Sequence, residues 1–461
     1  MKIDQWLVIA SVALTVVTVG AALLRKLPIT VAMLYLGLGV ALGPAALGAL
    51  TIDPWEDRVA LHRVAELAVV IALFASGLRL RSPLRHPSWK QAALLAGPVM
   101  IVTIALTAAF AHLVLGVSIA LAIVIAAALA PTDPVLAAEV AVRHASDPDR
   151  LRLSLTGEAG LNDGAAFPFV VLGLDLLREG GLGPWLADWA LHRLLWAVPG
   201  GLVVGLAVGY AIGRIAIVVR TRAGDAQGVD ALLAIATAGL AYAAADGLET
   251  WAFLAAFGAG LGFRRAEMHV TEAASPPPIA TDAAPPDGGP AETVLERELH
   301  EAAERHPTVA AGGILRDASA TCEALERGVE FLAVVAIGAL LWPIFDVRGL
   351  ALAAFIFLVA RPLGALLFSH PRTGGRWYRG LLGWLGVRGV GSLYYSEWAF
   401  ENGLGEADAH LVSGLVLTVV AASIVTHGAT ATPLVRAYER RLPATDPSSR
   451  DRDPERPTVP P

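Results

Sequence analysis

The sequence is short of cysteine, of charge and of any basic excess. One cysteine, Cys322, in 461 residues excludes a disulfide-stapled scaffold. Only 16% of the residues are charged, where a soluble domain carries about 25%. Together with 55% hydrophobic residues, that scarcity excludes a soluble fold of one to three domains and a chain disordered throughout. The net charge is -6 and no stretch has the composition of a folded basic domain, so nucleic acid is excluded as a partner. A P-loop and a dinucleotide fingerprint are also missing.

What the chain has is long apolar runs. A membrane helix needs roughly 20 mostly apolar residues. Thirteen such runs fall near 5–24, 28–49, 60–79, 91–115, 118–141, 152–177, 188–213, 229–245, 248–264, 329–345, 349–369, 378–400 and 409–434. No soluble enzyme domain fits in what is left. The first run follows Asp4 and ends at Arg25 and Lys26 without a small-residue cleavage site, so it reads as a retained helix. The expected fold is an all-α polytopic membrane protein in the lipid bilayer.

The loops carry an independent signal. Basic residues gather after every odd-numbered run up to the seventh: Arg25 and Lys26, then Arg79, Arg81, Arg85 and Lys90, then Arg143, Arg150 and Arg152, then Arg214, Arg220 and Arg222. The eleventh run is followed by Arg372, Arg376 and Arg379. The intervening loops are poor in basic residues, with Asp246 and Glu249 in one and Glu401, Glu406 and Asp408 in another. Cytoplasmic loops carry the Lys/Arg excess. The alternation therefore places the N-terminus outside and the C-terminus inside a cell membrane.

Four regions are expected. Residues 1–265 form the first part of the bundle and 328–435 the second. Residues 266–327 form an acidic cytoplasmic loop, partly disordered, with twelve acidic and four basic residues. Its stretch 274–290 is a Pro/Gly-rich linker, residues 291–306 could form a short surface helix, and Cys322 sits beyond them without an evident role. Residues 436–461 form a disordered cytoplasmic tail.

Charges at membrane depth cost at least about 2.5–3.5 kcal/mol each, so those present need a reason. Pro131 and Pro134 flank Thr132 and Asp133 and should break the fifth run there. Broken helices at membrane depth are tolerated where they line a cavity. The sixth run carries Glu158, Asn162 and Asp163 among Gly157, Gly160 and Gly164. Asp133 and Asp163 lie roughly 14 and 17 Å deep at helical rise, near the midplane of adjacent antiparallel helices. Two carboxylates, a threonine and an asparagine at one depth are hard oxygen ligands suited to a small cation. Glu158 needs a partner of its own, and the buried arginines Arg361 and Arg388 offer one. Glu66 is a further carboxylate within a span. Gly201, Gly205, Gly209 and Gly213 form a smooth ridge for close helix packing.

Ala130-Pro131-Thr132-Asp133-Pro134-Val135, followed by Leu155-Thr156-Gly157-Glu158 and Asn162-Asp163-Gly164, resembles the bacterial cation:proton antiporter-1 (NhaP-type) family. Gly386-Val387-Arg388-Gly389-Val390-Gly391-Ser392-Leu393-Tyr394-Tyr395 and Ser423-Ile424-Val425-Thr426-His427-Gly428 extend the resemblance toward the C-terminus. It implies two inverted six-helix repeats joined by an extra helix, crossing broken helices at the fifth and twelfth runs that hold the ion site, and a homodimer. It implies a secondary transporter and not an enzyme, with no cofactor, exchanging Na+ for H+ in pH homeostasis. By the same resemblance, Asp163 binds ion and proton, while Asp133 and the Thr132 carbonyl are ligands or site organisers. Glu66 contributes near the site, Glu158 and Arg361 form a buried ion pair, and Arg388 is a second structural arginine. Asn162 stands where electrogenic relatives carry a second aspartate, which implies electroneutral exchange. Ala159 departs from the family pattern, which often has a serine hydroxyl there, and this leaves K+ or Li+ open beside Na+.

Other classes stay in view. An intramembrane aspartyl protease also pairs two aspartates, but its Tyr-Asp and Gly-x-Gly-Asp motifs are absent here. A channel needs no titrating midplane carboxylate, and a transport-inactive sensor would rest on the 266–327 loop.

Overall fold

The computed structural model describes residue 15 and residues 30–53, 55–83, 85–133, 136, 142, 147, 149–223, 229–274, 306–369 and 375–441. The first apolar run, most of the linker and surface-helix stretch 274–306, and the tail from 442 lie outside these residues. The described residues form thirteen helical segments and no strand. They are α1 Val31–Leu42, α2 Arg58–Arg79, α3 Pro87–Leu113, α4 Ile119–Ala128, α5 Arg150–Glu179, α6 Trp185–Arg222 and α7 Val229–Gly247. After these come α8 Ala252–Ala273, α9 Pro307–Ile344, α10 Arg348–Phe368, α11 Gly375–Trp384, α12 Val390–Glu401 and α13 Glu406–Glu439. Six of them, α2, α3, α5, α6, α10 and α13, are long and apolar enough to cross a membrane.

Local chemistry sets several boundaries. Asp149 caps α5, its Oδ1 accepting from the Leu151 and Arg152 amides at 2.8 and 3.2 Å. Gly180 ends that helix in the left-handed region at φ 71. Ser118 caps α4 through the Leu121 amide. Pro98, in α3, sits inside a wide π turn, which absorbs the missing backbone donor.

Small residues set the helix contacts. The glycine ridge of α6 packs on α8. A Cβ at Gly201, Gly205 or Gly209 would stand 2.4, 2.1 or 2.0 Å from the carbonyl oxygens of Trp251, Ala255 and Ala259. Gly77 of α2 meets Gly260 of α8, and Gly39 of α1 meets Gly338 of α9, in the same backbone-to-backbone way.

The two expected breaks fall at defined places, and one expected loop is corrected. The fifth run stops being helical at Ala128, before the proline pair. The run 378–400 is two helices, α11 and α12, separated by the non-helical residues 385–389. The expected loop 266–327 is helical at both ends. Residues up to Ala273 continue α8, and α9 begins at Pro307. Its first turns bury Val309, Ala310, Ile314, Leu315, Ala318 and Cys322, while Arg316, Asp317, Glu323 and Arg327 face outward or sideways. Charge on one face lowers the average hydropathy and hides an amphipathic helix from a window count.

The ends of the helices sort by charge. At one face Arg79 pairs with Glu326, Arg81 with Glu267, Arg152 with Asp147 and Glu439, and Arg220 with Asp317. These pairs tie α2 to α8 and α9, α5 to α13, and α6 to α9. The opposite face carries Asp346, Glu249, Glu401 and Glu406 and has fewer arginines, Arg58, Arg63, Arg178 and Arg348 among them.

Candidate ion-binding site

Two interrupted helices meet at the middle of the bundle. Beyond α4 the chain is non-helical through Pro131, Thr132 and Asp133, and between α11 and α12 it is non-helical through 385–389. The two stretches are hydrogen-bonded to each other, the Asp133 amide donating to the Val387 carbonyl at 2.9 Å. The Asp133 side chain completes the junction. Its Oδ1 accepts from the Leu136 amide at 3.1 Å, and its Oδ2 accepts from the Val390 amide, the first of α12. Asp133 thus caps a helix on the other side of the crossing, where the dipole favours a negative charge.

Glycine is required for this approach. A Cβ at Gly389 would stand 2.1 Å from Asp133 Oδ2. Gly391 lies against the second aspartate, its Cβ position being 3.1 Å from Asp163 Oδ1. Asp163 sits about 20 Å from one end of α5 and about 24 Å from the other. It is 1% exposed, and Asp133 is within electrostatic reach. Its backbone carbonyl accepts from the Tyr395 hydroxyl of α12. Its Oδ1 has no hydrogen-bond partner among the described residues.

Asn162 is equally buried, and its Nδ2 donates to Thr132 Oγ1 at 2.9 Å. The Asn162 Oδ1 and the Ser392 Oγ are also buried without a partner. Buried polar atoms are normally paired. Three orphaned oxygens on adjoining elements form the kind of hard-ligand set a small monovalent cation takes in place of water.

The crossing is braced by arginine. Arg361 of α10 grips Glu158 of α5 with two hydrogen bonds of 2.5 and 2.9 Å and donates to the Leu382 carbonyl at 3.1 Å. Arg388 lies within the break. Its amide donates to Ser423 Oγ at 2.8 Å and its Nη1 to the Gly386 carbonyl at 2.8 Å. Ala159 is buried and adds no oxygen.

Glu66 corrects an expectation. It does not join the two aspartates in this structure. Its Oε1 accepts from the Tyr242 hydroxyl at 2.5 Å and its Oε2 from Arg63 at 2.6 Å. It lies in the first half of α2, toward the arginine-poor face, and its residence on a span says nothing of which way it points. Residue-type reasoning also missed the Tyr395 hydroxyl, the Val387 carbonyl and Ser423. Each acts through a contact across helices that no local spacing encodes.

The family described as "Sodium/hydrogen exchanger, transmembrane" matches residues 12–276, more than half the chain. The chain belongs to the sodium/hydrogen exchanger family. This family member is a multi-pass membrane protein with an antiporter fold. It resembles the structure of the sodium proton antiporter MjNhaP1 from Methanocaldococcus jannaschii at pH 8, with a TM-score of 0.65 and 17% identity over 94% of this chain and 99% of that one. Na(+)/H(+) antiporter 2 of Zygosaccharomyces rouxii is 32% identical over 185 residues, 39% of this chain. The match spans 23% of that yeast protein's own length. K(+)/H(+) antiporter NhaP of Alkalimonas amylolytica is 23% identical over 448 residues, 94% of this chain and 68% of that protein.

Proposed function

We propose that this protein is a secondary active antiporter that exchanges one monovalent cation for one proton, with Na+ as the first candidate. The observation that carries the reading is Asp163, a carboxylate at mid-membrane depth, held against the junction of two broken helices with one oxygen unpartnered. A charge so placed is costly alone and is relieved by a proton or by a cation. One carboxylate serving both ligands makes them compete, and competition couples their opposite movements. The loaded carboxylate crosses as a neutral unit, whereas the empty charged one crosses poorly. Alternating access moves one bundle against the other around this fixed point.

The other residues take graded roles. Thr132 and Asn162 form a neutral clamp beside Asp163, and Asn162 adds no second charge, which favours electroneutral exchange. Asp133 organises the crossing, since backbone amides use both of its oxygens. Glu158, Arg361 and Arg388 hold the break in place. Glu66 serves the approach from the arginine-poor side. The protein sits in the cell membrane as a homodimer, N-terminus outside, with the arginine-rich face toward the cytoplasm.

K+ is the second reading. Ala159 withholds a hydroxyl, and a relative matched over most of this chain is named a K(+)/H(+) antiporter. The missing ligand weakens the case for Na+ and leaves K+ open.

The test is purified protein in liposomes loaded with a pH-sensitive dye, with Na+, Li+ and K+ gradients imposed in turn. Wild type is expected to move protons against one of these cations, and Asp163→Asn to abolish the movement. Intact exchange in Asp163→Asn would remove Asp163 from its role.

A further inference from the structure

Helix α12 carries a second carboxylate that the exchange site does not use. Glu397 lies six residues beyond Gly391, the glycine that touches Asp163, or about 9 Å farther toward the arginine-poor face. It is 3% exposed. Among the described residues it has neither a hydrogen bond nor an ion pair. The charged groups within its reach are Glu401, on the same face one turn farther out, and Arg58 from α2.

Both of those groups are engaged elsewhere. Arg58 lies over the Phe400 ring, 5.2 Å from its centroid, and donates to the Trp55 carbonyl at 3.3 Å. Glu401 faces His62 Nδ1 at 3.4 Å and is 30% exposed. One turn inward from Glu401, Glu397 is closed off from bulk water. Farther in, α12 touches Asp163 of α5, through Gly391 and through the Tyr395 hydroxyl. From the rim to the centre, then, the exposed Glu401 and the buried Glu397 of α12 are followed by the fully buried Asp163 of α5, which touches α12 at Gly391 and Tyr395. A structural glutamate would take Arg58 as its partner, as Glu158 takes Arg361. Glu397 does not.

We propose that Glu397 is an access-route carboxylate, which takes the monovalent cation from Glu401 at the outer mouth and passes it to Asp163. The proposal rests on the antiport reading. It concerns one side of the membrane only, because Glu397 and Glu401 both lie between Gly391 and the end of α12 at the arginine-poor face. A neutral, isosteric Glu397→Gln should therefore weaken capture of the cation from outside and leave capture from inside unchanged.

The experiment compares right-side-out and everted membrane vesicles holding wild type, Glu397→Gln, Glu397→Asp or Asp163→Asn, with proton flux followed by dye. In Glu397→Gln the apparent KM for cation offered at the arginine-poor face should rise about tenfold, equivalent to about 1.4 kcal/mol. Its KM from the other face should match wild type, and Glu397→Asp should recover part of the loss. A KM unchanged at both faces, or raised equally at both, overturns the proposal, since a packing role would have no sidedness. Loss of membrane protein in Glu397→Gln with normal behaviour in Glu397→Asp also overturns it, because it marks a structural hydrogen bond. If wild type and Asp163→Asn are alike, the antiport reading itself fails and the proposal falls with it.

Discussion

At the scale of single residues, the chain spends its few buried charges on opposed tasks. Glu158 and Arg361 satisfy each other through a bidentate pair, whereas Asp163 keeps an oxygen free. The pair should behave as structure. Arg361→Ala leaves Glu158 buried alone and is expected to cost about 3–5 kcal/mol, read as a lower unfolding temperature in detergent. Replacing both, Glu158→Leu with Arg361→Met, should restore most of that loss while Asp163 stays functional. Sequence reasoning reached the two midplane aspartates because charge in an apolar run is conspicuous whatever the fold. The family resemblance set Asp163 ahead of Asp133, but how each carboxylate is held was not legible. Asp133 spends its oxygens on backbone amides, and Glu66 spends its own on Tyr242 and Arg63. Both facts depend on where neighbouring helices stand.

At the scale of elements, the two helix breaks have different origins. The break after α4 is announced by a proline pair, which removes backbone donors. The break at 385–389 contains no proline. It forms because Gly386 and Gly389 allow close approach, because Arg388 bonds the Gly386 carbonyl, and because Asp133 caps the emerging α12. Gly389→Ala tests this account. Its Cβ would stand 2.1 Å from Asp133 Oδ2, so the crossing must shift. Folded protein should still reach the membrane, with most of the exchange rate lost in the liposome assay. Normal exchange would mean that the crossing tolerates displacement. Helix α9 teaches a similar lesson. Its amphipathic start was invisible as a span because its charged face balances an apolar face that packs on the rest of the bundle.

At the scale of the molecule, the arginine asymmetry of the loops reappears as one face laced with ion pairs between helix ends. The orientation drawn from it can be checked directly. With Cys322 replaced by Ser, Glu406→Cys should react with a membrane-impermeant maleimide in intact cells. Arg222→Cys should react only after permeabilisation. The reverse pattern would invert the topology and exchange the two sides of the access route. Helical class, number of spans, alternation of loops and the depth of the aspartates follow from the sequence alone, because hydropathy, positive charge and helical rise are local quantities. How Asp133 spends its oxygens, which way Glu66 points, where within the run 378–400 the break falls and what faces Asp163 were decided by tertiary structure. Each depends on the direction of a side chain against a helix distant in sequence, and packing alone sets that direction.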